Sequence, residues 1–384
     1  MVCTKLWRSK HIPLHEFLMT NRINLMNSKN RYRKQFIILI VLVLAVFSIC
    51  GAIVAYVDPF FHYHAPLEGF PYVVDNQLSQ NPGMAKNMNY EGCIIGSSMT
   101  VNFDTDDFKE LLDVNTIKLS YSGAYPKDDY NILSIVFDKD TYARKNSDVK
   151  AVFFAMDIPT MTAATETTKY PLPEYLYDDN YLNDVKYLLN KDVLLQYIMR
   201  PMIQGQGSDL SEIYASWWTP DYYNIQWVMH NYDEPEYVDE ETEADALLPQ
   251  TKENLEVNIL PFVENNPDTQ FYFFFPPYSI LYWHNVMQEN TFEATFSQYQ
   301  YVADRLLEYD NVHLFYFQTM PEILDLNNYA DYTHYKPDIN RFMVECFSNG
   351  NYEIESSDEM EKELSKMRGM IASFDFDDLF NREW

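Results

Sequence analysis

The clearest pattern along the chain is an uninterrupted apolar stretch near its N-terminus. Residues 36–57 read FIILIVLVLAVFSICGAIVAYV and contain no charged side chain. At ~1.5 Å rise per residue, a helix of this length spans about 33 Å, which matches the hydrocarbon core of a bilayer. The pattern therefore predicts one transmembrane helix over 36–57, preceded by a leader over 1–35.

The charges beside this stretch predict its orientation. The leader holds eight basic residues and one acidic residue, a net charge of +7. The positive-inside rule places such a leader in the cytoplasm and residues 58–384 outside it. The alternatives are a cleaved signal peptide and a buried core helix. The stretch is longer than a usual signal-peptide core, and no cleavage site of small residues follows it, which favours a retained single-pass anchor.

Beyond the anchor, residues 58–88 show no clean period and are interpreted as a stalk that packs against the domain or the bilayer surface. After them, short apolar runs alternate with amphipathic segments. Strands are expected over 92–95, 116–119, 150–156, 270–275 and 312–317, and helices over 105–112, 126–137, 181–199, 250–264, 293–308 and 337–347. Asp104 or Thr105 is expected to cap the helix over 105–112. This alternation is typical of an α/β sandwich with a parallel sheet. It predicts a domain over 89–348 with an insertion at 160–250, and a helical tail over 349–384.

Composition excludes several classes of function. The net charge is −29, so the part after the leader carries −36 and would repel nucleic acid. The eight His and four Cys residues show no metal-binding spacing, and no cofactor motif is present. We therefore expect no metal and no cofactor. Cys93 and Cys346 are the two cysteines placed outside the membrane, and we expect no required disulfide between them.

Candidate chemistry lies where predicted strands end, which is where parallel α/β folds carry their catalytic groups. The first strand ends in Gly96-Ser97-Ser98, a sharp turn that exposes a serine able to act as a nucleophile. The second strand is followed by Gly123, whose N–H can approach a bound carbonyl. The last strand is followed by Asp331-Tyr332-Thr333-His334. An aspartate three residues before a histidine can orient the imidazole to accept a proton from serine.

In this order, Gly-x-Ser, Gly and Asp-x-x-His resemble the SGNH/GDSL hydrolase superfamily over roughly residues 89–348. The phrases VDPFFHYHAPLEGF, IIGSSMTVNF and DYTHYKPDIN look like a membrane-anchored bacterial branch similar to the teichoic-acid D-alanylation and alginate-type O-acetylation proteins. The resemblance implies a three-layer, flavodoxin-like sandwich around a parallel sheet. It also implies a catalytic triad of Ser98, His334 and Asp331, and an oxyanion hole from the N–H groups of Ser98 and Gly123. Because the family pattern is Gly-x-Ser and Gly96 fixes the count, Ser98 rather than Ser97 is the expected nucleophile, and Ser97 is expected to point into the protein or toward the neighbouring helix.

The third block departs from that family. The superfamily has Gly-x-Asn-Asp there, with an Asn that donates to the oxyanion, whereas this chain has Ala155-Met156-Asp157. An ionised Asp157 cannot donate a hydrogen bond. Three interpretations stay open: Asp157 is protonated, it has a structural role, or the two N–H groups act alone.

The resemblance implies an extracytoplasmic serine esterase or O-acyltransferase acting on acyl groups of a cell-envelope polysaccharide or teichoic-acid-like polymer. Its expected partners are the bilayer, through residues 36–57, the acylated polymer, and a multi-pass membrane acyltransferase. The alternative is a non-catalytic, membrane-anchored scaffold or glycan-binding protein that keeps the fold, which the Asp157 departure favours. Hydrolysis and transfer are not separated by the sequence.

Overall fold

The computed structural model describes residues 14–141, 145, 148–215, 219–382 and 384, with side chains from residue 29 onward. Its centre is one six-stranded sheet in the order β2-β1-β3-β4-β5-β6. The strands are β1 (Gly92–Ile95), β2 (Thr116–Lys118), β3 (Ala151–Ala155), β4 (Gln270–Phe275), β5 (Val312–Tyr316) and β6 (Glu353–Ile354). The first five are mutually parallel, and β6 pairs antiparallel with β5.

Helices connect these strands and flank the sheet. The N-terminal and early helices are α1 (Leu14–Val57), α2 (Gln77–Asn87), α3 (Thr105–Leu112) and α4 (Pro126–Val136). The insertion carries α5 (Glu174–Tyr177), α6 (Val185–Leu188), α7 (Arg200–Gln204), α8 (Ile225–His230) and α9 (Leu248–Asn254). The remaining helices are α10 (Leu260–Asn265), α11 (Ile280–Gln288), α12 (Phe292–Leu306), α13 (Pro337–Asn349), α14 (Ser357–Ser373) and α15 (Phe376–Phe380). Two π-helical segments, Val193–Met199 and Leu255–Ile259, run into α7 and α10.

The predicted alternation of strands and helices is confirmed, and most bounds differ by no more than two residues. Strands β1 and β4 and helix α3 have the expected bounds, and Asp104 caps α3 as predicted by accepting from the Asp106 N–H. The sequence pattern missed α11 because this helix is buried on nearly every side, so it shows no polar face. It also missed β6, which has only two residues. The helix expected over 181–199 is interrupted between Leu188 and Val193.

Residues 58–88, interpreted as a stalk that packs against the domain or the bilayer surface, are packed into the core of the domain. Phe60, Phe61, Tyr72 and Val74 are buried in the core, and the segment ends in α2, whose central residues are buried. The helix was hidden from the pattern because its buried positions include polar side chains and Pro82. A buried polar group is tolerated when it is hydrogen-bonded, so polarity alone did not indicate exposure here.

Asn81 shows why a polar residue lies inside α2. Its side-chain amide donates to the carbonyl oxygens of Leu119 and Ser120, at 3.1 and 2.9 Å, and its oxygen accepts from the Tyr214 hydroxyl at 2.8 Å. These three bonds fix the chain that leaves β2 and join it to the insertion. Through Asn81, residues 58–88 therefore hold in place the segment that leads to Gly123.

Helix α1 contains the one segment in the described part of the chain, Lys29–Val57, that is long and apolar enough to cross a membrane. Most of its side chains between 36 and 49 are exposed, whereas Val54 and Val57 are buried against the domain. Cys50, Cys93 and Cys346 are free thiols, and the latter two are buried. Cys3 lies outside the described residues.

We predict that Asn81→Ala lowers the free energy of unfolding by about 1–3 kcal/mol, because it removes the hydrogen bonds to two buried carbonyls and from the Tyr214 hydroxyl. The measurement is denaturant unfolding of the full chain in detergent micelles. Asn351→Ala, at an exposed position, is the matched control and should change the value by no more than ~0.5 kcal/mol. Equal effects of the two substitutions would contradict the structural role of Asn81.

Candidate active site

The chain leaves β1 through a turn that only glycine fits. Gly96 has φ = +135°, and a Cβ built on it would lie 2.8 Å from the Ala155 Cβ on the neighbouring strand. Ser97 then caps a single 3₁₀ turn, Ser98–Thr100, by accepting from the Met99 N–H at 3.2 Å. Ser98 is therefore the first residue of this turn and lies at the carboxyl end of β1.

The Asp-x-x-His segment forms a closed loop after β5. The Ala330 N–H donates to the His334 carbonyl at 2.9 Å, and Tyr329 forms an antiparallel bridge with Tyr335. Inside the loop, one Asp331 oxygen accepts from the Thr333 and His334 N–H groups, each at 2.8 Å. This is the local turn that aspartate favours, and it brings the carboxylate back to its own histidine.

The structure brings Ser98, His334 and Asp331 together. His334 Nε2 lies 2.8 Å from Ser98 Oγ, and His334 Nδ1 lies 2.7 Å from the second Asp331 oxygen. Burial acts to raise the Asp331 pKa, but its hydrogen bonds and the charge of His334 bring that pKa below its usual value. Asp331 is thus an ionised acceptor for the imidazole. The arrangement has the geometry that activates a serine nucleophile.

A further hydrogen bond holds the histidine loop against the serine turn. The Tyr335 hydroxyl donates at 2.7 Å to the carbonyl of Met99, which is the residue after Ser98. Tyr335 is buried, so this bond is protected from water. From the opposite side of the loop, the Ser279 hydroxyl donates to the Tyr332 carbonyl at 2.6 Å. The distance between His334 and Ser98 is therefore set by backbone contacts as well as by the side chains themselves.

Gly123 lies in the turn beside the serine. The Ala124 N–H donates to the Tyr121 carbonyl at 2.8 Å, and Gly123 occupies the third position of that turn with φ = +71°, where glycine is favoured. The Tyr121 N–H donates to the Gly96 carbonyl at 2.8 Å, which places the two turns side by side. Within the described residues, the N–H groups of Ser98 and Gly123 have no acceptor. They are available to an oxyanion.

Asp157 follows β3 and serves as an acceptor. It accepts a hydrogen bond from the Tyr278 hydroxyl, and the hydroxyl and N–H of Ser97 lie near enough to lower its pKa. Burial raises the Asp157 pKa, and these groups and the nearby His334 offset part of that rise. Of the three interpretations, the contacts favour the structural one, because Asp157 anchors Ser97. Ser97 is accordingly buried.

Lys169 is a residue at this site that sequence reasoning missed. A Cβ built on Gly123 would lie 3.0 Å from Lys169 Nζ, so the ammonium covers the glycine. The Lys169 N–H donates to an Asp128 carboxylate oxygen at 2.8 Å, and that oxygen also accepts from the Tyr125 N–H at the start of α4. No carboxylate of the described chain lies within 4.0 Å of the ammonium. A lone lysine in a loop of the insertion carries no sequence signal for this position.

Comparisons of the chain with protein-family models, with curated proteins and with solved structures found no match. Over the residues described above, no group of three or more His, Cys, Asp and Glu side chains is placed to hold a metal ion.

We predict that the free energy of unfolding of the wild-type chain falls, compared with that of the Asp157→Asn variant, as pH rises above about 4. The sign follows from the raised Asp157 pKa: the folded state holds this proton more tightly than the unfolded state, so deprotonation favours unfolding. The measurement is denaturant unfolding of both proteins between pH 4 and pH 8. A difference that stays constant over this range would show that the Asp157 pKa is not raised.

Proposed function

We propose that this chain is an extracytoplasmic serine esterase or O-acyltransferase of the SGNH type, acting on ester-linked acyl groups of a cell-envelope polymer. The observation that carries the proposal is the continuous relay from Ser98 Oγ through His334 to Asp331, set beside two backbone N–H groups without acceptors. The proposal includes the three-layer SGNH arrangement. It also includes the resemblance of the sequence to the D-alanylation and O-acetylation proteins.

In the proposed reaction, His334 Nε2 takes the Ser98 proton while Oγ attacks the acyl carbonyl. Asp331 stabilises the imidazolium that forms, and the N–H groups of Ser98 and Gly123 donate to the oxyanion. When the tetrahedral intermediate collapses, the C–O bond to the leaving alcohol breaks, and His334 returns the proton to that oxygen. A water or an acceptor hydroxyl then attacks the acyl-Ser98 ester by the reverse steps. Water gives hydrolysis, and a polymer hydroxyl gives transfer.

Lys169 is proposed to supply the charge that the third block lacks. The family's Asn donor is replaced by Asp157, which accepts hydrogen bonds and whose charge opposes that of an oxyanion. The Lys169 ammonium covers Gly123, and no carboxylate of the described residues lies within 4.0 Å of it. A positive charge at this position stabilises the developing negative charge. The insertion would then contribute directly to the chemistry.

The proposed location follows from helix α1. Residues 36–57 would span the membrane with the leader in the cytoplasm, which places the site on the outer side. The acylated polymer is then the substrate within reach, and a multi-pass membrane acyltransferase is the proposed source of acyl groups if the reaction is transfer. A non-catalytic scaffold is the competing proposal, and Asp157 is the feature in its favour.

We predict that the full-length protein in detergent reacts with a fluorophosphonate probe at Ser98. Ser98→Ala should abolish labelling, because the nucleophile is lost, and His334→Ala should slow it by at least ~10²-fold. The adjacent Ser97→Ala keeps the nucleophile and should still be labelled. Labelling is read by in-gel fluorescence and the site by mass spectrometry. An unlabelled wild-type chain that is folded would favour the scaffold.

We predict that Lys169→Met lowers kcat for a soluble aryl ester by on the order of 10-fold, which is less than the loss of a buried oxyanion-hole donor because the ammonium is exposed to solvent. Lys169→Arg keeps the charge and should recover most of the rate. Lys127→Met, which removes a nearby lysine that pairs with Glu166, is the matched control and should leave kcat unchanged. A Lys169→Met protein with wild-type kcat would remove Lys169 from the mechanism.

A further inference from the structure

The insertion packs against the end of the membrane helix. A Cβ built on Gly51 would lie 3.6 Å from Leu189 Cδ2 and 3.7 Å from Leu188 Cβ. Helix α1 also packs against α6 and against the π-helical segment Val193–Met199. These contacts explain why Val54 and Val57 are buried while the helix surface before residue 50 is exposed.

The position of Gly51 sets the depth of this contact. Gly51 precedes the end of α1 by six residues, so at ~1.5 Å per residue it lies about 9 Å below Val57 along the helix. If residues 36–57 fill a hydrocarbon core of about 30 Å, Leu188 and Leu189 lie at the level of the outer leaflet's acyl chains. The part of the insertion that contacts Gly51 then reaches below the membrane surface.

The insertion presents an apolar surface beside this contact. Leu189 comes first, and Leu195, Met199, Met202 and Ile203 follow with the i, i+4, i+7, i+8 spacing of one helical face. These five residues, here called the apolar ledge, are between 42% and 80% exposed. Such a face normally packs on a core, and in this structure the opposite face does so, through Val193, Ile198 and Pro201. Apart from the contact of Leu189 with Gly51, the ledge is thus a second apolar face that stays exposed among the described residues.

Charges around the ledge suit a lipid surface. The exposed charged side chains between 181 and 205 are Lys186, Lys191, Asp192 and Arg200, so basic residues outnumber acidic ones here. The chain after the leader carries −36 as a whole, which makes this local excess of positive charge unusual. Long basic side chains beside an apolar helix face can extend to anionic headgroups while the apolar face enters the acyl region.

A buried polar cluster holds the ledge rigidly on α1. Asp58, the first residue after the helix, accepts from the N–H groups of His62, Tyr63 and His64 and from the Tyr187 hydroxyl at 2.8 Å. Asp184, just before α6, accepts from the Tyr63 hydroxyl at 2.8 Å. Because Asp58 and Tyr187 are buried, the insertion cannot swing freely about the end of the span.

We infer that the apolar ledge is a membrane-docking surface that inserts into the outer leaflet beside α1, so that the domain is held on the bilayer in one orientation. This inference rests on the proposed span. The ledge is continuous with a helix whose own surface is exposed to lipid in that proposal, which favours the bilayer over a soluble partner. Docking would fix the height of the Ser98 turn above the membrane and limit the enzyme to substrates at that height.

The test uses nitroxide labels on the full chain in vesicles of phosphatidylethanolamine and phosphatidylglycerol. Cys3 and Cys50 are replaced, while the buried Cys93 and Cys346 remain. Single cysteines are introduced as Leu195→Cys and Ile203→Cys on the ledge, Ile49→Cys on the span, and Tyr237→Cys at an exposed position of the insertion remote in sequence. The readout is the ratio of label accessibility to oxygen and to a water-soluble nickel complex.

We expect labels at 195 and 203 to give ratios close to that at 49 and at least several-fold higher than that at 237. Labels at 195 and 203 that match 237, while 49 reports lipid, would overturn the docking inference and leave the span intact; this is also the outcome expected if the ledge binds another protein. A label at 49 that reports water would overturn the span itself. Thermal unfolding of each labelled variant shows whether the fold is retained.

Discussion

The site depends on the parallel alignment of β1 to β5. Strands that run in the same direction must each be followed by a crossover, so all five end at one edge of the sheet. The residues after β1, β2, β3 and β5 are separated widely along the chain, yet they meet there. Ser98 and His334 are 236 positions apart and lie within hydrogen-bond distance. A helix or an antiparallel hairpin could not bring such distant loops to a common point with so few residues.

Alignment of strands alone does not set distances between loops, and buried polar side chains do that here. Asn81 holds the segment after β2, Asp157 holds Ser97, and Tyr335 joins the histidine loop to the serine turn. Each lies where an unpaired polar group would be costly, so the bonds are maintained together. The same reasoning explains why Asp157 departs from the family's Asn donor. Its carboxylate accepts from the Tyr278 hydroxyl and lies beside Ser97, so it does not serve as a hydrogen-bond donor to an oxyanion. The positive charge of Lys169, brought by the insertion, lies beside Gly123.

Three separate parts of the chain thus converge on one proposed activity. The sheet supplies the serine and the histidine, the insertion supplies Lys169, and the contact of the insertion with α1 relates the site to the proposed membrane. The insertion has two roles in this view, because one part covers Gly123 and another presents the apolar ledge beside Gly51. Since residues 58–88 are packed into the core, the domain is not joined to α1 by a flexible stalk.

The sequence by itself determined the elements whose signals are local. The apolar span, the strands of β1 and β4, the cap at Asp104, and the order of Ser98, Gly123 and Asp331/His334 all follow from residue types and short spacings. Only the tertiary structure decided the rest, because those features depend on contacts between distant residues. Helix α2 is recognisable only once Gln80 and Asn81 have buried partners, and α11 shows no polar face because neighbours cover it on nearly all sides. Lys169 is likewise recognisable only because it lies beside Gly123, and the ledge only because it lies beside Gly51. No local sequence pattern encodes either contact.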